Sequence, residues 1–95
     1  MIDVNYKNEC MAALANYLSP LRAKAGITQD SLANIIGISR QTYYAIENRK
    51  RSMSWNTFIS LIFYFDSNEK TSGMLHSLGL FPDSLVEQIK SDSDQ

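Results

Sequence analysis

The sequence predicts an all-α protein. Apolar side chains recur at intervals of three and four along most of the chain, and most of these periodic stretches open on Ser or Thr or close on Gly. No alternation of apolar and polar residues, the mark of a strand, runs beyond a few positions. The chain has 95 residues, 44% hydrophobic and 20% charged, which is material for one compact domain over 1–95 and too little for two separate cores.

Over residues 8–25, Met11, Leu14, Ala15, Leu18, Leu21 and Ala25 share one helical face. Pro20 removes a backbone donor and disfavours helical geometry at Ser19, so the sequence predicts either a kink or a helix restarting with Pro20 as its first residue. Gly26 closes this first helix. Thr28 caps a second, carrying Leu32, Ala33, Ile35 and Ile36 and closed by Gly37. Ser39 caps a third, with Tyr43 and Ile46 as its inward pair, and Ser54 caps a fourth, on which Trp55, Phe58, Ile59, Ile62 and Phe65 share a face. The run Asp66-Ser67-Asn68 then breaks the pattern. Met74, Leu75 and Leu78 before Gly79 suggest a fifth helix, and Pro82 opens a sixth in its first turn, with Leu85, Val86 and Ile89 as its apolar side. The polar tail from Ser91 to Gln95 is expected to fray. The expectation is thus a bundle of roughly five or six helices.

The net charge is −1, which at first argues against a polyanionic partner. Its distribution reverses that argument. Residues 22–51 hold Arg22, Lys24, Arg40, Arg49, Lys50 and Arg51 against Asp30 and Glu47; residues 52–95 hold Lys70 and Lys90 against six carboxylates. The middle of the chain is suited to face a polyanion and the C-terminal part to face away.

Several functions find no support. Cys10 is the single cysteine and reads as a small apolar side chain, without partners for a disulfide or a zinc site. His76, the single histidine, has Ser72, Gly73, Gly79 and Leu80 at helical spacing, none of them a metal ligand. No Ser-His-Asp trio, phosphate-binding glycine loop or carboxylate pair suggests an enzyme, and no cofactor is implied. The apolar run at 58–65 is far shorter than the ~20 residues that span a bilayer, so no membrane association and a cytoplasmic location are expected.

Two short helices joined by a Gly-containing turn, the second capped and followed by a basic loop, form the geometry that delivers one helix to the DNA major groove. If Tyr43 and Ile46 face the core, the opposite side of the third helix presents Gln41, Tyr44, Ala45 and Asn48, with Arg40 at its N-terminal end. Those residue types can read bases: Arg grips guanine O6 and N7, Gln pairs with adenine N6 and N7, and an alanine methyl packs on that of thymine. Arg40, Gln41, Tyr44 and Ala45 are therefore the candidate base readers. Asn48, Arg49, Lys50 and Arg51 are candidates for the neighbouring phosphates. Competing readings are a merely solvated Arg40 and a Tyr44 packed on the fourth helix.

Residues 22–51, RAKAGITQDSLANIIGISRQTYYAIENRKR, resemble the Cro and lambda-repressor family of helix-turn-helix proteins. The likeness rests on Gln29, Leu32-Ala33, Gly37 in the turn, Ser39-Arg40-Gln41-Thr42 and Ile46-Glu47-Asn48. It implies a lambda-repressor-like bundle with its core at 18–66 and a helical extension at 67–91. It also implies that Gln29 and Thr42 donate to phosphates, and that Glu47 pairs with Arg22 to lock the third helix against the first. Arg49 departs from the pattern, which places Gly after the third helix: either Asn48 takes the left-handed conformation or the loop follows another path, which leaves the course of Arg49 to Arg51 open. The resemblance implies a transcriptional regulator, a repressor that binds double-stranded DNA at a palindromic operator as a homodimer. Residues 55–90 carry more apolar bulk than one side of a small domain needs, and Phe63, Tyr64 and Phe81 are the candidates for a dimer surface in the acidic C-terminal part. The rival expectation is an antitoxin or other protein-interaction module that takes a protein partner on its C-terminal helices and binds DNA secondarily.

Overall fold

The computed structural model describes residues 3–93, of which 3–92 include the side chains. Seven helices follow one another among them: α1 (Val4–Ala15), α2 (Leu18–Ala25), α3 (Gln29–Ile36), α4 (Arg40–Glu47), α5 (Trp55–Ser67), α6 (Ser72–Ser77) and α7 (Asp83–Ser93). The additional helix comes from the N-terminal stretch. Asp3 caps α1 by accepting from the amides of Asn5 and Tyr6, so the helix starts four residues before the periodic pattern. The chain then breaks at Asn16-Tyr17, ahead of the proline. Tyr17 donates to Leu14 O and accepts from Leu21, and Pro20 occupies the first turn of α2, where its missing N–H leaves no helical bond unmade. The restart thus falls at Leu18 instead of Pro20.

Thr28, Ser39 and Ser54 cap α3, α4 and α5, each hydroxyl accepting from the amide three residues on, at 3.1, 3.0 and 3.1 Å. Pro82 stands just before α7 instead of within its first turn, and its carbonyl accepts from Leu85 and Val86. The helix continues through Ser91 and Asp92 to Ser93 where a frayed tail was expected; the remainder of that expectation, Asp94 and Gln95, lies outside the described residues.

One cluster of buried side chains joins the elements. α5 is its axis, packing on α1, α3 and α6 and contributing Phe58, Leu61, Ile62 and Phe65 to the interior. Leu14 from α1, Leu18 and Leu21 from α2, Leu32 and Ala33 from α3, Tyr43 and Ile46 from α4, and Leu75 and Leu80 beyond α5 belong to the same cluster. Fully burying side chains of this size stabilises by about 1.5–3 kcal/mol each. Ile59 departs from its expected core position: it is exposed, and Leu61 stands in the interior instead. Trp55 is half-buried, stacked on Phe58 at 4.8 Å with the Lys7 ammonium over its ring. Thr71, fully buried, donates to the Phe65 carbonyl at 2.7 Å and ties the end of α5 to the start of α6.

Candidate nucleic-acid interface

α3 and α4 are two eight-residue helices packed on each other and joined by Gly37-Ile38-Ser39. The turn closes with Gly37 at φ +83°, its amide donating to Asn34 O while Ile38 donates to Ala33 O, a pairing that satisfies the last carbonyls of α3. The other end of α4 closes by the same pairing. Arg49 donates to Ile46 O at 3.1 Å and Lys50 to Ala45 O at 2.8 Å, with Arg49 at φ +63°. Asn48 keeps φ −84°. Arg49 itself therefore takes the left-handed conformation usually given to glycine, at a cost of about 1 kcal/mol.

Below that end lies a polar node. Glu47 accepts from Arg22 twice, Nε to Oε1 at 2.8 Å and Nη2 to Oε2 at 2.9 Å, so that a planar fork grips both carboxylate oxygens. The Tyr43 hydroxyl donates to Oε1 at 2.8 Å and the Gln29 amide to Oε2 at 2.7 Å. Arg22 Nη1 also donates to the Ile27 carbonyl at 3.1 Å, so one guanidinium links α2, the α2–α3 turn and α4. Burial by itself would lift the Glu47 carboxyl, but the hydrogen bonds from Arg22, Tyr43 and Gln29 outweigh it and hold the group below its ordinary range. The same bonds raise Arg22, against the burial that opposes its charge, while burial and then the Glu47 carboxylate push the Tyr43 hydroxyl far up. The family resemblance implies the Arg22–Glu47 pair. It does not bring in Tyr43 and Gln29 as donors to Glu47, although Tyr43 stands four residues before Glu47 on the same helix, a spacing that brings side chains together.

The outer side of α4 is different. Tyr43 and Ile46 are buried, while Arg40, Gln41 and Tyr44 are exposed and Ala45 is half-buried. Arg40 and Tyr44, one turn apart, both reach Asp30 at the start of α3: Arg40 Nη1 donates to Oδ2 at 3.4 Å and the Tyr44 hydroxyl donates to Oδ1. The bond to Asp30 raises the Tyr44 hydroxyl above its ordinary value. Asp30 figured in the sequence only as an opposing charge, and this bond ties Tyr44 to α3.

The helix-turn-helix family model matches residues 21–57, a span that runs from the Leu21 core position to the first turn of α5 and contains this whole arrangement. Residues 21–57 therefore carry a helix-turn-helix, the DNA-binding unit of the Cro and lambda-repressor kind. No curated protein and no solved structure matches it. In the helix-turn-helix, α3 is the supporting helix and α4 the one whose polar face is open. Thr42 accepts from the Ser39 hydroxyl at 2.8 Å, and its own proton remains available. Asn48, Arg49, Lys50 and Arg51 are exposed; the last three line a shallow groove against α1, formed with Asn8, Met11 and Ala12.

The remaining candidates separate. Phe63 is exposed and Tyr64 half-buried, and with Ile35 and Ile36 of α3 and Ile59 they line an apolar groove of about 620 Å³ between α3 and α5. Phe81 is not part of it. Its ring stacks on His76 at 4.4 Å, and His76 Nε2 lies 2.7 Å from Asp66 Oδ1, a partner ten residues away that helical spacing does not bring into view. Among the described residues no group of three or more His, Cys, Asp and Glu could hold a metal, and no helix is long and apolar enough to cross a membrane.

Proposed function

We propose that this helix-turn-helix protein is a repressor that binds a palindromic operator as a homodimer, with α4 in the major groove. The observation that supports this most directly is the two-sided character of α4, buried at Tyr43 and Ile46 and open at Arg40, Gln41 and Tyr44. In this reading Arg40, Gln41, Tyr44 and Ala45 meet base edges. Gln29, with one amide hydrogen on Glu47 and the other available, meets a phosphate together with Thr42, Asn48, Arg49, Lys50 and Arg51. Two copies reading half-sites about 34–36 Å apart need a symmetric contact. Phe63, Ile59 and Ile35 offer uncharged apolar surface for it on α3 and α5. Occupancy of the site excludes other proteins from it, which is the simplest route to repression.

Selection of bound duplexes from a random double-stranded library, followed by affinity measurements over a salt series, tests this proposal. A palindrome should emerge. Arg40→Ala and Gln41→Ala should lose discrimination of about fivefold to a hundredfold at single positions, with little loss on scrambled duplex. Absence of any enriched sequence would show the fold serving protein partners instead, as an antitoxin-like module does.

A further inference from the structure

We infer that Asp30 is a specificity-determining residue: its carboxylate bridges Arg40 and Tyr44 and sets the pose in which both meet DNA. The inference rests on the base-reading role proposed for α4. Asp30 stands in the first turn of α3 and Arg40 opens α4 across the turn, and Tyr44 stands one turn beyond Arg40 on the same face, so one carboxylate can hold two of the reading side chains. Arg40 and Asp30 keep 69% and 49% of their side-chain surface exposed. A pair this open contributes little to folding, so its effect is to be sought in binding.

The bridge changes what each side chain offers. A free arginine loses much rotamer freedom when it docks on a base; one already tied through Nη1 loses less and still presents Nε and Nη2 as donors for guanine O6 and N7. Tyr44 has committed its proton to Asp30, so its hydroxyl oxygen is left as an acceptor. It therefore suits a base edge that carries an amino group, cytosine N4 or adenine N6. Asp30 also sets a negative charge beside the DNA. That charge holds Arg40 back from phosphates and opposes binding to any sequence, so it trades general affinity for discrimination.

The test compares wild type, Asp30→Ala, Asp30→Asn and Arg40→Ala in duplex selection, in affinity for the selected site and a scrambled duplex across salt, and in thermal melting. For Asp30→Ala the expected result is an unchanged melting temperature, equal or tighter binding to scrambled duplex, and a salt slope steeper by about one unit as Arg40 turns to a phosphate. The preference for the selected site should fall by about tenfold, and the preference for an amino-bearing base opposite Tyr44 should relax. Asp30→Asn should keep part of the discrimination, because its carbonyl can still accept one bond. If wild type selects a site and Arg40→Ala loses it while Asp30→Ala keeps the same preference and slope, the bridge is overturned and base reading stands. A fall in melting temperature with proportional loss on both duplexes would overturn it in favour of a folding role. Failure of wild type to select any site overturns the base-reading assignment itself, and the bridge with it.

Discussion

Two carboxylates hold α4, and their surroundings give them different parts. Glu47, at the C-terminal end, has 9% of its side chain exposed and accepts four hydrogen bonds from Arg22, Tyr43 and Gln29. Asp30, reaching across to the N-terminal end from α3, is about half exposed and shares its oxygens between Arg40 and Tyr44. A buried charge is costly to leave without its partners, so Glu47 fixes the position of the helix. An exposed charge is screened by water and salt, so Asp30 can be removed at little expense to the fold and acts on what the helix presents. The same chemical group is structural or functional according to how much water surrounds it.

The strongest challenge to that contrast is Glu47→Ala. Leaving the Arg22 guanidinium without its carboxylate should destabilise by about 3 kcal/mol, a drop of roughly 10–20 °C in the melting temperature, with weaker binding to every duplex as α4 loosens. A variant that kept both its melting temperature and its affinity would show the node to be ornamental. Titration offers a second view. The folded carboxyl titrates below its ordinary 4.5, so its contribution is complete at neutral pH and is lost as pH falls past 4.5 and through the folded value. Denaturant midpoints between pH 6 and 3 should show this loss in wild type and a shallower one in Glu47→Gln.

Tyr43→Phe should cost less, about 1–2 kcal/mol, because it removes one donor while keeping the packed ring. It should also alter the alkaline limb. Unfolded Tyr43 loses its proton near 10 while the folded hydroxyl retains it, so stability falls as pH rises past 10. The Phe variant should show a smaller slope there, though not none, since Tyr6 and Tyr44 are raised as well.

Arg49→Gly should change stability in the opposite direction. Relief of the left-handed backbone, offset partly by the greater freedom of glycine in the unfolded chain, should leave a gain of about 0.5–1 kcal/mol in chemical denaturation. If Arg49 also meets a phosphate, the salt slope should fall by about one unit. Stability gained together with DNA affinity lost would place a functional cation at a strained position at the Glu47 end of α4. Asp30→Ala completes the series with the smallest effect on folding, within about 0.5 kcal/mol.

Much of this molecule is legible in the chain because its signals are local. Thr28, Ser39 and Ser54 announce helix starts through bonds that span three residues, and the inward pair Tyr43 and Ile46 follows from a period of 3.6. The start of α1 went unread because Asp3 precedes a turn with little apolar periodicity, and the break fell at Asn16-Tyr17 because a proline is tolerated in the first turn that follows. Pairing of Arg22 with Glu47 came from family likeness; nothing local connects side chains that far apart in sequence.

By itself, the sequence determined the helical class, the turn between α3 and α4, and the polar face of α4, since propensity, capping and periodicity act within a few residues. Tertiary structure alone decided the rest. It brought Asp30 to Arg40 and Tyr44, turned Gln29 inward to Glu47, set His76 against Asp66 and Phe81, and left Ile59 and Phe63 exposed beside Ile35. Those outcomes depend on how helices cross, and a crossing is fixed by the packing of the whole core, which no short window of residues encodes.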